Sequence, residues 1–274
     1  MPILQTIRQA GDVLELFTRQ DPEWSVREVA RRLAIPKSNA HQLLASLETI
    51  GLLHRMVTGQ YRLGFKILTL GQYLLTNTPW RDVAHRALLQ LEAQTAQTVQ
   101  LAALDGGRLI YVDKILGSSP NAIDSPHSDI GNAVTPHASA LGRVLLASKS
   151  WRVVQGTLEQ TGLRAQTPQT VTDLRAFKSE LEQISQQGYA FDLEESRRGV
   201  SCVAAAIRNH NGEIIAAIGL SLRSDRTVPI STSIRDQVIL TAEGISRSLA
   251  FDPEFVIENR AQSRQVGRNA WQAK

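Results

Sequence analysis

Residues 35–51 read IPKSNAHQLLASLETIG, and this stretch decides the fold of the N-terminal part of the chain. Its apolar residues recur at intervals of three and four, which predicts a helix with one buried stripe: Ala40, Leu43, Leu44, Leu47 and Ile50. Gly51 follows at the position where helices commonly end in the left-handed conformation. The other side of this helix carries a lysine and short polar side chains: Lys37, Ser38, Asn39, His41, Gln42 and Ser46.

Two more helices are predicted before this one. Apolar spacing from Ile7 to Phe17 indicates a helix over residues 6–19. Ser25 precedes a second apolar stripe and has Glu28 three residues further on, which is the spacing of a capping box. Only the tight turn 34–36 separates the second helix from the third.

After Gly51 the pattern changes to two short strands, 52–55 and 61–63, around a turn near residues 57–60. Three helices followed by a two-stranded ribbon are typical of a winged helix-turn-helix. In that fold the third helix enters the major groove of DNA, where the six polar side chains can reach base edges. Arg55 and Arg62 lie on the predicted wing, where cations meet phosphates.

A polar helix face is also compatible with a simple solvated surface. The capping box, tight turn, wing and charge occur together here, since residues 25–66 hold seven lysines and arginines against two glutamates. This combination favours nucleic-acid binding. Double-stranded operator DNA is the predicted partner rather than RNA, because the face has no aromatic side chains for stacking and Tyr61 is assigned to wing packing.

Composition limits the remaining function classes. A chain of 274 residues with 42% hydrophobic and 20% charged residues is typical of two globular domains. The single cysteine, Cys202, excludes an internal disulfide and a cysteine-based zinc cluster, and it favours a reducing, cytoplasmic location. No apolar run approaches the roughly 18 residues of a membrane span. We therefore expect no membrane partner, no cofactor and no metal, and His127 and His137 lie too close to prolines to form a metal pair.

The body of the chain mixes helices and hairpins, which predicts an α+β fold with an antiparallel sheet. Helices are expected at 80–97, 138–147, 174–187 and 234–249, and strands at 98–103, 109–114, 201–208 and 214–222. We predict a winged helix-turn-helix domain at 1–64, a linker and dimerisation helix with a hinge at 65–78, an effector domain at 79–252 and a basic tail at 253–274. The helix at 64–77 is apolar on two faces, which favours a second subunit as its partner; burial between two domains of one chain is the alternative.

The chain resembles the IclR family of bacterial transcriptional regulators along nearly its whole length. The segments that carry the resemblance are PKSNAHQLLASLETIGLL with its wing, YRLGFKILTLG, TPHASALGRVLLA, and GYAFDLEESRRGVSCVAAAIRNHNGEIIAAIGLSL. The resemblance implies a GAF-like effector-binding domain, a homodimer or homotetramer, and control of transcription by a small organic acid.

The resemblance also implies an effector pocket, formed by the helix start at Ser139, Ala140 and Leu141 together with Asp192, Cys202 and Ser221. The N–H groups at a helix start attract a carboxylate. Gly219 departs from the family pattern, which has a second serine there. We expect that glycine to open space for a larger acid, such as an aromatic one.

Two of these residues have a structural alternative. Cys202 is also interpreted as a small buried apolar residue, and Asp192 as a residue that caps a loop. The effector-controlled regulator itself has two alternatives. One is a constitutive DNA-binding scaffold with a vestigial pocket, and the other is a thiol enzyme that uses Cys202, although the sequence has no motif for its base.

Overall fold

The computed structural model of the protein describes residues 3–224 and 230–251. The chain divides into two compact units between Asn77 and Thr78. The predicted basic tail, residues 253–274, lies outside the described residues.

The N-terminal unit has the predicted order of three helices, a ribbon and a fourth helix. Its elements are α1 (Gln5–Leu14), α2 (Val26–Arg32), α3 (Lys37–Thr49), β1 (Leu53–Arg55), β2 (Tyr61–Leu63) and α4 (Phe65–Thr76). Val13, Val29, Leu44 and Tyr61 are almost fully buried between them. Two predictions were wrong: α1 ends at Leu14 instead of Arg19, and Ile50 is 51% exposed because α3 ends before it.

Local chemistry sets the helix boundaries in this unit. The predicted capping box is confirmed, because the Ser25 hydroxyl accepts from the Glu28 N–H and the Glu28 carboxylate accepts from the Ser25 N–H. Ala34 adopts a left-handed φ of 52° in the turn before α3. Gly51 has a φ of 81°, which is strained for other L-residues and explains the glycine at this helix end.

The C-terminal unit is the predicted α+β fold. Its helices are α5 (Pro79–Thr95), α6 (Ala140–Leu146), α7 (Trp151–Thr161), α8 (Leu174–Gln187) and α9 (Thr232–Phe251). Its strands are β3 (Thr98–Asp105), β4 (Arg108–Ile115), β5 (Ala133–Val134), β6 (Tyr189–Leu193), β7 (Val200–Arg208) and β8 (Ile214–Arg223). The sequence analysis missed α7, β5 and β6.

The six strands form one sheet in the order β5-β4-β3-β8-β7-β6, and every neighbouring pair is antiparallel. One face packs against α6, α7 and α8 around Leu109, Leu145 and Phe177. The other face packs against α5 and α9 around Leu88 and Ile218. The sheet is therefore covered on both sides. None of the described helices is both long enough and apolar enough to cross a membrane.

Candidate DNA-binding face and effector cavity

The outward face of α3 consists of the polar side chains that the sequence indicated. Ala40, Leu43, Leu44 and Leu47 are buried against the rest of the unit. The six side chains on the other side are all exposed: Lys37, Ser38, Asn39, His41, Gln42 and Ser46. The face offers hydrogen-bond donors and acceptors in groups short enough to read base edges.

The wing places its two arginines on opposite faces of the ribbon. Arg55 pairs with Tyr61, and its guanidinium carbon lies 5.9 Å from the centre of the Tyr61 ring. Arg62 pairs with His54, so these two side chains share the other face. Sequence reasoning missed His54, which only the strand register reveals.

Helix α4 has no buried residue within its own unit. Its apolar side chains are exposed along the helix, with Phe65 81%, Leu68 69%, Leu70 49% and Tyr73 58% accessible. Monomeric proteins rarely leave such a continuous apolar surface in water.

A cavity of about 560 Å³ lies in the C-terminal unit. Its lining includes these polar side chains: Gln100, Ser125, Ser128, Ser139, Ser196 and Ser221. Ile123, Val134 and Val200 add apolar surface, and His127 and Arg197 lie on the solvent side. An apolar wall on which a few polar groups converge is typical of a small-molecule site.

The cavity includes two of the seven predicted effector residues. Ser139 and Ser221 line it, whereas Ala140, Leu141, Asp192, Cys202 and Gly219 do not. Ser139 also uses its hydroxyl to accept from the Gly142 N–H at the start of α6 (3.1 Å). Ser221 donates to the Gln100 side-chain oxygen (3.0 Å).

Asp192 caps the loop that follows β6. One carboxylate oxygen accepts from the N–H groups of Glu195 (2.7 Å) and Ser196 (3.2 Å). The other accepts from the Ser196 hydroxyl. Burial raises the pKa of Asp192 above its usual range, against these hydrogen bonds, which favour the charged form. The side chain thereby holds Ser196 in the cavity wall.

Cys202 lies between Asp192 and Ser221 in the sheet, because it pairs with Asp192 on β6 and with Ser221 on β8. It is 7% exposed, and burial raises its pKa to about 12. A thiol with such a pKa stays protonated at neutral pH and is a poor nucleophile. This environment removes the basis for the thiol-enzyme hypothesis.

The expected space over Gly219 is filled. A Cβ built on Gly219 would lie 2.9 Å from Leu141 Cγ and 3.0 Å from its Cδ2. The glycine therefore makes room for a leucine of α6 and not for a ligand, so the expectation of a larger acid on this ground was wrong.

A buried arginine braces the wall of the cavity, and sequence reasoning missed it. Arg143 is 1% exposed and forms a bidentate ion pair with Glu195, with Nη2–Oε1 at 2.8 Å and Nη1–Oε2 at 2.9 Å. It also donates to Glu180 Oε1 (2.5 Å) and to the Phe191 carbonyl (2.6 Å). The signal in the sequence was a single charge within the apolar run ALGRVLL.

No group of three or more His, Cys, Asp or Glu side chains that could hold a metal occurs within residues 3–224 and 230–251.

Comparison with known proteins gives two family matches. The helix-turn-helix domain of IclR matches residues 6–56, and the C-terminal domain of bacterial IclR transcriptional regulators matches residues 72–247. The HTH-type transcriptional regulator XynR of Escherichia coli K12 is 33% identical over 253 residues, which cover 92% of this chain and 99% of XynR. The repressor AllR of the same strain is 27% identical over 251 residues, 89% of this chain and 90% of AllR.

Solved structures share the fold. The Thermotoga maritima IclR structure has a TM-score of 0.65 and 30% identity, with 89% of this chain and 98% of that one covered. An IclR homologue from Microbacterium hydrocarbonoxydans, crystallised with 4-hydroxybenzoate, has a TM-score of 0.76 and 23% identity, with 89% and 99% covered. The matched relatives are regulators and not enzymes, and the C-terminal unit is the GAF-like domain of their fold. The chain belongs to the IclR family of bacterial transcriptional regulators.

Proposed function

We propose that this protein is a regulator that binds double-stranded operator DNA as a homodimer or homotetramer, and that a small organic acid in the C-terminal unit controls the binding. The observation that carries the effector part is the cavity of about 560 Å³, in which polar side chains converge on a largely apolar wall. We assign residues 1–64 to a DNA-binding domain, residues 65–78 to a linker helix and hinge, and residues 79–252 to an effector domain.

The exposed face of α3 supports the DNA-binding part. We assign base contacts to Lys37, Ser38, Asn39, His41, Gln42 and Ser46. Arg55 and Arg62 are assigned to phosphates, and His54 joins Arg62 because the register puts both on one side of the ribbon. Phosphate contacts add affinity on all sequences, while base contacts distinguish between them.

The exposed apolar surface of α4 supports self-association. A second copy of the chain would cover Phe65, Leu68 and Tyr73, and two copies would present two α3 helices to two half-sites. Sedimentation equilibrium tests this part. Leu68→Lys is expected to shift the protein toward monomer, and an unchanged mass would move the subunit contact away from α4.

The lining of the cavity supports a hydroxylated organic acid. Hydroxyl and amide groups dominate its polar surface, and the Arg197 guanidinium group favours a negative ligand. The Microbacterium homologue was crystallised with 4-hydroxybenzoate, an aromatic hydroxy acid, which supports a ligand of this class for the present chain. Because Leu141 fills the space over Gly219, that glycine gives no reason to prefer aromatic acids over aliphatic ones.

A thermal-shift screen of the full chain with aliphatic keto acids, hydroxy acids and aromatic carboxylates tests the effector part. A ligand at one hundred times its Kd stabilises the native state by about 2.7 kcal/mol. A compound that raises the melting temperature is then added to operator-binding titrations, where a changed Kd for DNA supports control by the effector. Binding of DNA without any response to the panel would favour the constitutive scaffold.

A further inference from the structure

Arg197 is placed to bind an anion in the cavity. It lines the cavity from the solvent side and is exposed. Among the residues that the structure describes, no hydrogen bond or ion pair engages its guanidinium group. His127 is the other basic side chain of the lining and is likewise exposed. A guanidinium group matches a carboxylate with two parallel hydrogen bonds.

Hydrogen bonds fix the backbone around Arg197, while its guanidinium group is left to bind a ligand. Asp192 binds the N–H groups of Glu195 and Ser196, and Arg143 binds the Glu195 carboxylate. The Arg197 carbonyl accepts from the Val200 N–H (3.3 Å). The loop therefore presents the guanidinium group from a braced position, which reduces the entropy that a ligand must overcome.

The buried end of the cavity carries uncharged polar side chains instead of an exposed cation. Gln100, Ser128 and Ser221 are 4%, 5% and 6% exposed. Ser221 donates to Gln100 Oε1 (3.0 Å), Gln100 Nε2 donates to Ser128 (3.5 Å), and Ser128 donates to the Ser125 carbonyl (3.0 Å). Within residues 3–224 and 230–251, no hydrogen bond uses the second hydrogen of Gln100 Nε2, and none is donated to the Ser221 hydroxyl oxygen. One donor beside one acceptor suits a ligand hydroxyl.

We propose that Arg197 determines effector specificity by binding the carboxylate, and that the effector is a hydroxylated monocarboxylate whose hydroxyl end enters first, toward Gln100 and Ser221. This inference rests on the proposed effector control and names the residues that read each end of the ligand. It places the carboxylate at the solvent side of the cavity, on a loop residue, instead of at the start of α6.

The test is titration calorimetry of the full chain with 4-hydroxybenzoate and gluconate as probes, each beside its neutral amide. Arg197→Ala is expected to raise the Kd of the bound acid by about 10-fold to 100-fold, as for loss of a charge-assisted pair. The Kd of the amide should change less than twofold, so that the preference for acid over amide disappears. Arg198→Ala is the matched control, because Arg198 is exposed beside Arg197 and does not line the cavity; it should behave as wild type.

A second pair of measurements tests the orientation. Ser221→Ala should weaken 4-hydroxybenzoate more than benzoate, which has no hydroxyl, and the loss should be the same in the Arg197→Ala background. If wild type binds an acid and Arg197→Ala binds it equally well, the assignment of Arg197 is wrong while effector control stands. If neither acid binds wild type, control by this ligand class and the assignment both fail.

Discussion

Replacement of Arg143 by methionine is expected to destabilise the C-terminal unit by about 3 kcal/mol. Removing one partner of a buried ion pair costs about 3–5 kcal/mol, because the other charge stays buried without compensation. The side chain of Glu195 is 12% exposed and would be left in that state. Glu180 is 27% exposed, so water compensates it in part and the lower end of the range applies.

Scanning calorimetry of the full chain measures this effect, since it can separate the transitions of the two units. For a unit of this size, a loss of about 3 kcal/mol lowers Tm by about 6–12 °C. The transition of the N-terminal unit should not move. Arg247→Met is the control, because Arg247 is 65% exposed and such a surface change is expected to stay within about 0.5 kcal/mol.

A double variant tests whether the charges act together. Glu195→Gln in the Arg143→Met background should recover part of the lost stability, because the buried charge is then removed as well. A loss below about 1 kcal/mol in the single variant would refute the reasoning. Strictly additive losses in the double variant would show that the two side chains are not coupled.

Three further predictions concern other sites. Gly219→Ser should cost about 1–3 kcal/mol by overpacking against Leu141, and less when Leu141→Ala is also present; equal losses by thermal unfolding would contradict the contact. His137 is buried, no described residue bonds to its Nδ1, and burial lowers its pKa below 6.5. The unfolded state therefore binds more protons, and stability should fall as the pH drops below 6.5. Urea unfolding between pH 5 and 7 should show this slope, and its persistence in His137→Asn would assign it to another group. Asn39→Ala should cost about 1–3 kcal/mol at one operator position, whereas Arg62→Ala should weaken all sequences and reduce the salt slope by about 1; the reverse pattern in binding titrations would exchange their roles.

Local signals predicted most of the N-terminal unit. The capping box at Ser25, the stripe from Ala40 to Leu47 and the left-handed Gly51 depend on residues a few positions apart, so their pattern is visible in the sequence. Where local spacing was ambiguous, the prediction failed. Helix α1 was extended to Arg19 because Phe17 continued the apolar pattern, although Phe17 packs against the core from beyond the helix end.

The cavity was less predictable because its members meet only in the folded sheet. Gln100 and Ser221 are 121 positions apart and bond to each other, and neither position has a local pattern that indicates the partner. Gly219 was interpreted as space because its neighbour in three dimensions, Leu141, could not be identified from the sequence. Strand β6 was missed because it is only five residues long. It carries Asp192, whose carboxylate accepts hydrogen bonds from the loop that follows the strand.

These contacts separate the residues that build the cavity wall from those that can select a ligand. Asp192 accepts hydrogen bonds from the backbone of the loop after β6. Arg143 forms a buried ion pair with Glu195 of that loop and donates to the Phe191 carbonyl of β6. Because none of these contacts uses the Arg197 side chain, that side chain can change without moving the loop. A substitution at Arg197 should then alter which acid binds while the melting temperature of the empty protein stays constant, whereas a substitution at Arg143 should lower that temperature for every ligand. Two measurements on each variant therefore distinguish the two kinds of residue: the melting temperature of the protein without ligand, and the affinity of the protein for the acid.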